Sequence, residues 1–115
     1  MKKTTRTTEA FEYDLSDLVI TTSAKDLKKA RDVGGVWIDG RIAGHRFQAL
    51  VFADHADSET YELGTSKISK LWLQRLADKK QVANFDRGWD VEPTTDLATA
   101  IVDFLAAGLS DLIYA

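Results

Sequence analysis

Four segments of this chain read as β-strands with apolar residues on both faces, and only one convincing helix accompanies them. The segments are Gly35 to Ile42, Arg46 to Ala53, Lys67 to Arg75 and Gln81 to Asp86. Side chains alternate faces along a strand. One face therefore collects Val36, Ile38, Ile42, Phe47, Ala49, Val51, Leu71, Leu73, Ala83 and Phe85, the composition of a core. The other mixes Asp39, Arg41, Arg46, Gln48, Lys70, Gln74 and Asn84 with Trp37, Leu50, Phe52, Ile68, Trp72 and Val82. An antiparallel face in water is mostly polar. This one is not, so it calls for a cover: another part of the chain, a second copy, or a partner.

The rest of the chain supplies few elements for that purpose. The first ten residues are rich in Thr and charge and are expected to fray. Phe11, Tyr13 and Leu15 alternate with Glu12 and Asp14 as a half-buried strand does, which makes this segment the leading cover for the second face. Leu18 to Thr22 is a β-branched run that favours extended backbone. Ser23, with Asp26 three residues on, opens a short helix over Ala24 to Arg31 that Gly34-Gly35 ends.

The strands then form a meander. Ala43-Gly44 makes the first hairpin, Asp54 to Thr65 is a polar loop with a short extended piece near Tyr61 and Leu63, and Asp78-Lys79-Lys80 is a turn. Asp86-Arg87-Gly88-Trp89-Asp90 leaves the last strand. Pro93 and a Thr94 or Thr95 cap open the final helix, with Leu97, Ile101, Phe104, Leu105 and Gly108 on one stripe and Gly108 as its stop.

Composition removes several classes of function. At 115 residues the chain is one domain, able to bury roughly two-thirds of its unfolded surface. It contains no cysteine, which excludes disulfides, thiolate nucleophiles and Cys-based zinc sites. The net charge of −3 argues weakly against binding phosphate backbones. Met1-Lys2-Lys3 is followed by no apolar stretch, so no signal peptide is expected. The apolar run Leu97 to Leu109 is too short for a bilayer and carries Asp103, so no membrane association is expected. Residues 1–31 hold seven Lys or Arg against five acids, whereas 94–115 hold Asp96, Asp103 and Asp111 and no base.

Catalytic chemistry is scarce. His45 and His55 are the only histidines, and neither finds a convincing catalytic partner in the sequence. Asp54, His55 and Asp57 gather metal-ligating types in one loop without the fixed spacing of a helical site, and a plain solvated loop is the simpler reading. No phosphate-binding glycine loop or nucleophile elbow is present.

Two stretches stand out as surfaces. In Asp86 to Asp90, Arg87 and Trp89 are types enriched at binding hot spots. The favoured alternative is structural, with Gly88 at positive φ, Asp86 or Asp90 paired with Arg87, and Trp89 packed on the last helix. Lys67, Lys70, Trp72, Gln74 and Arg75 beside Arg41, Arg46 and Gln48 interleave aromatic and basic residues, as sheets that stack nucleic-acid bases do. A sheet face half covered by Phe11, Tyr13, Leu15 and Leu18 is the blander account of the same residues.

Gly35-Val36-Trp37-Ile38-Asp39-Gly40, Gly44 to Phe52, Ile68 to Leu73 and Asn84 to Asp90 together resemble a small bacterial protein family, a domain of unknown function of Gram-positive bacteria, their plasmids and their phages. The resemblance covers about residues 34 to 95. It implies no activity and no catalytic residue. It implies a small accessory protein of mobile DNA, of the kind that binds and blocks host or competitor machinery, an analogy rather than a physical argument.

The chain is thus expected to be a single α+β domain: a four-stranded antiparallel meander with a C-terminal helix on one face, and an N-terminal strand plus short helix. The expected role is that of a cytoplasmic, non-enzymatic protein-interaction module, a phage or mobile-element inhibitor or regulator of host machinery, engaging a protein partner or itself as a homodimer. A nucleic-acid-binding module is the alternative. The candidate surface is Trp37, Arg46, Gln48, Phe52, Lys70, Trp72, Gln74, Arg87 and Trp89, with no cofactor and no metal.

Overall fold

The structure, a computed structural model, describes residues 14–33, 35–56 and 61–114. Among the described residues six strands, not four, form one antiparallel sheet in chain order: β1 (Val19–Ile20), β2 (Gly35–Ile42), β3 (His45–Phe52), β4 (Ile68–Arg75), β5 (Lys80–Asp86) and β6 (Trp89–Val91). Helix α1 (Ala24–Val33) joins β1 to β2, and α2 (Asp96–Tyr114) follows β6. The two extra strands are short edges. The β-branched run at residues 18–22 pairs Val19 with Arg41 and Ile20 with Gly40. Asp86-Arg87-Gly88 does not lead away from the sheet. Arg87 (φ 54°) and Gly88 (φ 150°) reverse the chain, the Asp86 N–H bonds the Gly88 carbonyl at 2.8 Å, and Trp89 returns beside Phe85.

Local chemistry explains most boundaries. Ala43 and Gly44 both take positive φ (50° and 74°), which suits the right-handed twist of a two-residue hairpin. Ser23 Oγ accepts the Asp26 N–H and caps α1. Thr95, rather than Thr94, caps α2, its Oγ1 accepting the Ala98 N–H at 2.9 Å. Gly108 does not stop α2, which runs six residues further. A helix-interior glycine costs about 1 kcal/mol, and the turn beyond it buries Leu109 and Ile113, each worth roughly 1.5–3 kcal/mol. Ser110 Oγ also donates to the Phe52 carbonyl, and Tyr114 Oη to that of Val51.

The helix-covered face of the sheet is the core. Ile38, Ile42, Phe47, Ala49, Val51, Leu71, Leu73, Ala83 and Phe85 are buried there as expected, against Ala98, Ile101, Val102, Leu105, Leu109 and Ile113 of α2. Phe104, expected in the same stripe, is instead 40% exposed. The apolar length of α2 is that of a membrane-crossing helix, but its buried side chains are spent on the sheet.

Two residues assigned to the second face by alternation belong to this core. Leu50 pairs with Lys70 but Val51 with Ile68, so Ser69 is an extra residue on β4. Leu73 pairs with Ala83 but Gln74 with Gln81, so Val82 is extra on β5. Such bulges break the period of two. Ile68 and Val82 thereby turn inward and are fully buried.

The N-terminal cover is corrected in the same way. Leu15 is 6% exposed and packs in the core cluster, with Leu18 against it, so these two residues are not on the second face. Phe11, Tyr13 and the expected frayed stretch 1–10 lie outside the described residues.

Candidate interaction face and its cleft

The face of the sheet opposite α2 carries the candidate surface in three cross-strand rows. Trp37, Leu50, Lys70 and Asp86 form one. Asp39, Gln48, Trp72, Asn84 and Val91 form the next, and Arg41, Arg46, Gln74 and Gln81 the third. Neighbours in a row stand about 4.5–5.5 Å apart at Cβ and interact directly. Gln48 Nε2 donates to Asp39 Oδ1 at 2.9 Å, and Lys70 Nζ lies 3.6 Å from Asp86 Oδ1. The Arg46 guanidinium sits over the Trp72 ring at 5.7 Å, a diagonal cation–π contact. Trp37 is 50% exposed, and Leu50, Phe52 and Trp72 are half-buried.

At one end this face deepens into a cleft of about 450 Å³. Its walls are Leu50, Phe52 and Tyr61, and Lys67, Lys70 and Arg87 stand around it. The wall formed by the loop after β3 is held by Glu62. Its buried carboxylate accepts His55 Nδ1–H at 2.7 Å, the Ala56 N–H at 2.6 Å and the Lys67 N–H at 3.0 Å. Burial alone pushes the Glu62 carboxyl up, but these hydrogen bonds together hold it below the ordinary glutamate value. His55, which the sequence left without a partner, is therefore oriented by a carboxylate while its side chain stays 57% exposed.

Lys67 and Arg87 both occupy the left-handed region, at φ 65° and 54°. Their backbones are pinned there: the Phe52 N–H donates to the Lys67 carbonyl, and the Arg87 N–H to that of Ser69, each at 2.9 Å. The Arg87 guanidinium lies over the Tyr61 ring at 5.8 Å.

The structure thus gathers Trp37, Arg46, Gln48, Phe52, Lys70, Trp72 and Gln74 on one face and sets Arg87 at its end. Trp89 is separate. It pairs with Phe85 on the helix side and packs edge-on to that ring, with centroids 5.2 Å apart. Arg87 is not paired with Asp86 either, since that carboxylate reaches Lys70. His45 is buried at the start of β3, its Nδ1–H on the Ala43 carbonyl. Asp57 lies outside the described residues, and no cluster of three metal-ligating side chains occurs among the described ones.

A family described as a domain of unknown function, DUF7678, matches residues 36–110. The chain belongs to this family. The DUF7678 match runs from β2 into α2, so it contains the sheet face opposite α2 and the described lining of the cleft, while β1 and α1 fall outside it. It also extends beyond the expected limit near residue 95, through most of the helix that closes the core. No curated protein and no solved structure matches the chain.

Tyr61 and Glu62 are the site residues that sequence reasoning missed, and Lys67, read as part of the basic surface, was not linked to them. They belong to a polar loop whose role depends on contacts with β3, β4 and the turn after β5. The one legible sign was Lys67-Ile68-Ser69, where strict alternation places an isoleucine on a surface.

Proposed function

We propose that this DUF7678 protein is a non-enzymatic interaction module that engages a protein partner with the open face of its sheet. The observation that carries this reading is the apolar content of that face. Trp37 is half exposed, Leu50, Phe52 and Trp72 are half-buried beside it, and α2 is committed to the other side. Aromatic and arginine residues at the centre of a patch, ringed by polar ones, are the composition of binding hot spots. The setting we propose is the cytoplasm of a Gram-positive bacterium or of one carrying its plasmid or phage, with host or competitor machinery as the target.

The test is affinity capture from such a host with the wild type and with Trp37→Ser and Trp72→Ser. Proteins captured by the wild type and lost in both variants support the reading. An identical set from all three baits refutes it. A second copy is the competing occupant of the same face, and light scattering decides it: a dimer that the Trp72 substitution splits would replace the partner.

Nucleic acid remains a second reading because of the Arg46–Trp72 stack beside Lys70. Binding of single-stranded RNA that falls steeply with salt and is lost in Trp72→Ser would favour it. Absence of binding at low salt removes it.

A further inference from the structure

We infer that the cleft at the end of the open face is a pocket for an acidic–aromatic peptide segment: one aromatic side chain inserted between Leu50, Phe52 and Tyr61, with flanking carboxylates on Lys67, Lys70 and Arg87. The inference rests on the protein-binding reading above and names the chemistry of what the partner presents.

Three observations converge. The cleft is a concave space of about 450 Å³ with apolar walls, within the range that ligand pockets occupy. It is large enough for one ring and too small for a folded element. The cations around it are uneven in their own pairing. Lys70 shares Asp86 at 3.6 Å, whereas Lys67 and Arg87 form no ion pair among the described residues. Of the described acids lining the cleft, Glu62 has its oxygens engaged by His55, Ala56 and Lys67, which leaves Asp54 as the unengaged carboxylate among the described residues.

The third observation is conformational. Lys67 and Arg87 hold positive φ, a region that side chains other than Gly, Asn and Asp rarely take without cost. Among the described residues the other non-glycine positions in this region, Ala43 and Lys79, sit in hairpin turns away from the cleft; Arg87 is also in a turn, between β5 and β6, and Lys67 stands just before β4. Backbone strain retained under a charged side chain is a mark of functional positions. Here the strained backbones are fixed by hydrogen bonds, so both cations are carried on rigid supports, which lowers the ordering cost of binding.

A carboxylate-bearing peptide suits these features better than a nucleotide. The cleft's cations are carried by three separate side chains beside an apolar wall, which suits several carboxylates set on either side of a ring, whereas a phosphate concentrates its two charges on one group beside Asp54.

The probe is the peptide acetyl-Glu-Asp-Phe-Asp-Glu-amide, titrated to about 5 mM into isotopically labelled protein and followed by backbone amide shifts, a range that detects millimolar affinity. Shifts are expected at Ser69, Lys70 and Arg87. Raising salt from about 50 to about 300 mM should weaken binding several-fold. The double variant Lys67→Gly/Arg87→Gly removes both cations at backbone angles that glycine adopts freely, so it keeps the fold and should lose at least tenfold in affinity. A peptide with Phe replaced by Gly should bind at least fivefold more weakly. Absence of shifts, equal binding by a Lys-flanked peptide, or stronger shifts of the same amides by adenosine monophosphate each overturn the inference. If the peptide fails while Trp37→Ser and Trp72→Ser still lose captured proteins, the interaction reading survives and only the pocket assignment falls. If the peptide binds but capture is unaffected by those substitutions, the reverse holds.

Discussion

Gly40→Ala should destabilise the protein by about 1–2 kcal/mol, against the ordinary benefit of replacing a strand glycine. Gly40 pairs with Phe47 across β2 and β3, and the ring occupies the space a side chain there would need. A methyl group there would meet Phe47 Cζ at 2.5 Å and Cε2 at 2.6 Å, and the Val19 carbonyl oxygen at 2.7 Å. Neither neighbour can retreat, because Phe47 is fully buried beneath α2 and the carbonyl belongs to the paired strand β1. Overpacking of this kind costs about 1–3 kcal/mol, while losing a strand glycine returns about 0.5–1 kcal/mol. With an unfolding entropy near 2.1 cal/mol/K per residue, the net effect over 115 residues is a fall in Tm of about 4–8 °C. Gly35→Ala is the control. Its methyl would meet Phe52 Cε2 at 2.6 Å, but Phe52 is half-buried at the cleft and has room to swing, so Tm should change by less than half as much. Calorimetry of both, together with Phe47→Leu and the Gly40→Ala/Phe47→Leu double variant, measures the coupling. A Gly40→Ala protein as stable as wild type, or strictly additive losses in the double variant, would refute the glycine–aromatic account of this strand pair.

Three other outcomes follow from single contacts. Glu62→Gln should cost about 1.5–3 kcal/mol at neutral pH, since one acceptor becomes a donor facing an N–H and the charge assistance is lost. Because the folded carboxyl lies below its unfolded value, this stabilisation is fully present above about pH 4.5 and is lost as pH falls through the folded value, so in urea titrations the gap between wild type and variant should narrow steadily as pH is lowered below about 4.5. Gly108→Ala should raise stability by about 0.8–1 kcal/mol, because a methyl group there meets nothing within 4 Å in a helix interior. Thr95→Ala should cost about 1 kcal/mol by leaving the Ala98 N–H without its cap, read from denaturant midpoints at unchanged m-value.

The core face was legible because it needs only alternation and one amphipathic helix, and residues such as Ile38, Phe47 and Leu73 obey both. Where the reading failed, the cause was a backbone feature that side-chain type does not encode. Ile68 and Val82 turn inward because Ser69 and Val82 are inserted opposite single partners, and no glycine marks either bulge. The strand β6 is three residues long and itself bulged at Asp90, too short for a periodic signal. Gly108 looked like a stop because local propensity favours one, and burial of Leu109 and Ile113 overrides it. The cleft was invisible for a different reason. Its residues come from positions near 50, 61–70 and 87, and nothing but tertiary pairing brings them together.

The bulge at Ser69 bears on the cleft as well as on the core. Turning Ile68 inward leaves the backbone of residues 67–69 facing its neighbours, and three of its hydrogen bonds reach the other parts of the cleft. The Lys67 carbonyl takes the Phe52 N–H, the Ser69 carbonyl takes the Arg87 N–H, and the Lys67 N–H reaches Glu62. The β3 end, the turn before β6 and the loop wall are therefore all tied to one irregular stretch of main chain. Main-chain bonds survive changes of the side chains that carry them. The shape of the cleft is set mainly by Glu62 and by backbone groups, with Arg87 also lying over the Tyr61 ring, whereas its charge is set by the side chains of Lys67, Lys70 and Arg87. Reversing the charges of Lys67 and Arg87 should then invert which peptide the cleft accepts while leaving its hydrogen-bonded frame intact, a separation of scaffold from specificity that the strained backbone angles make affordable.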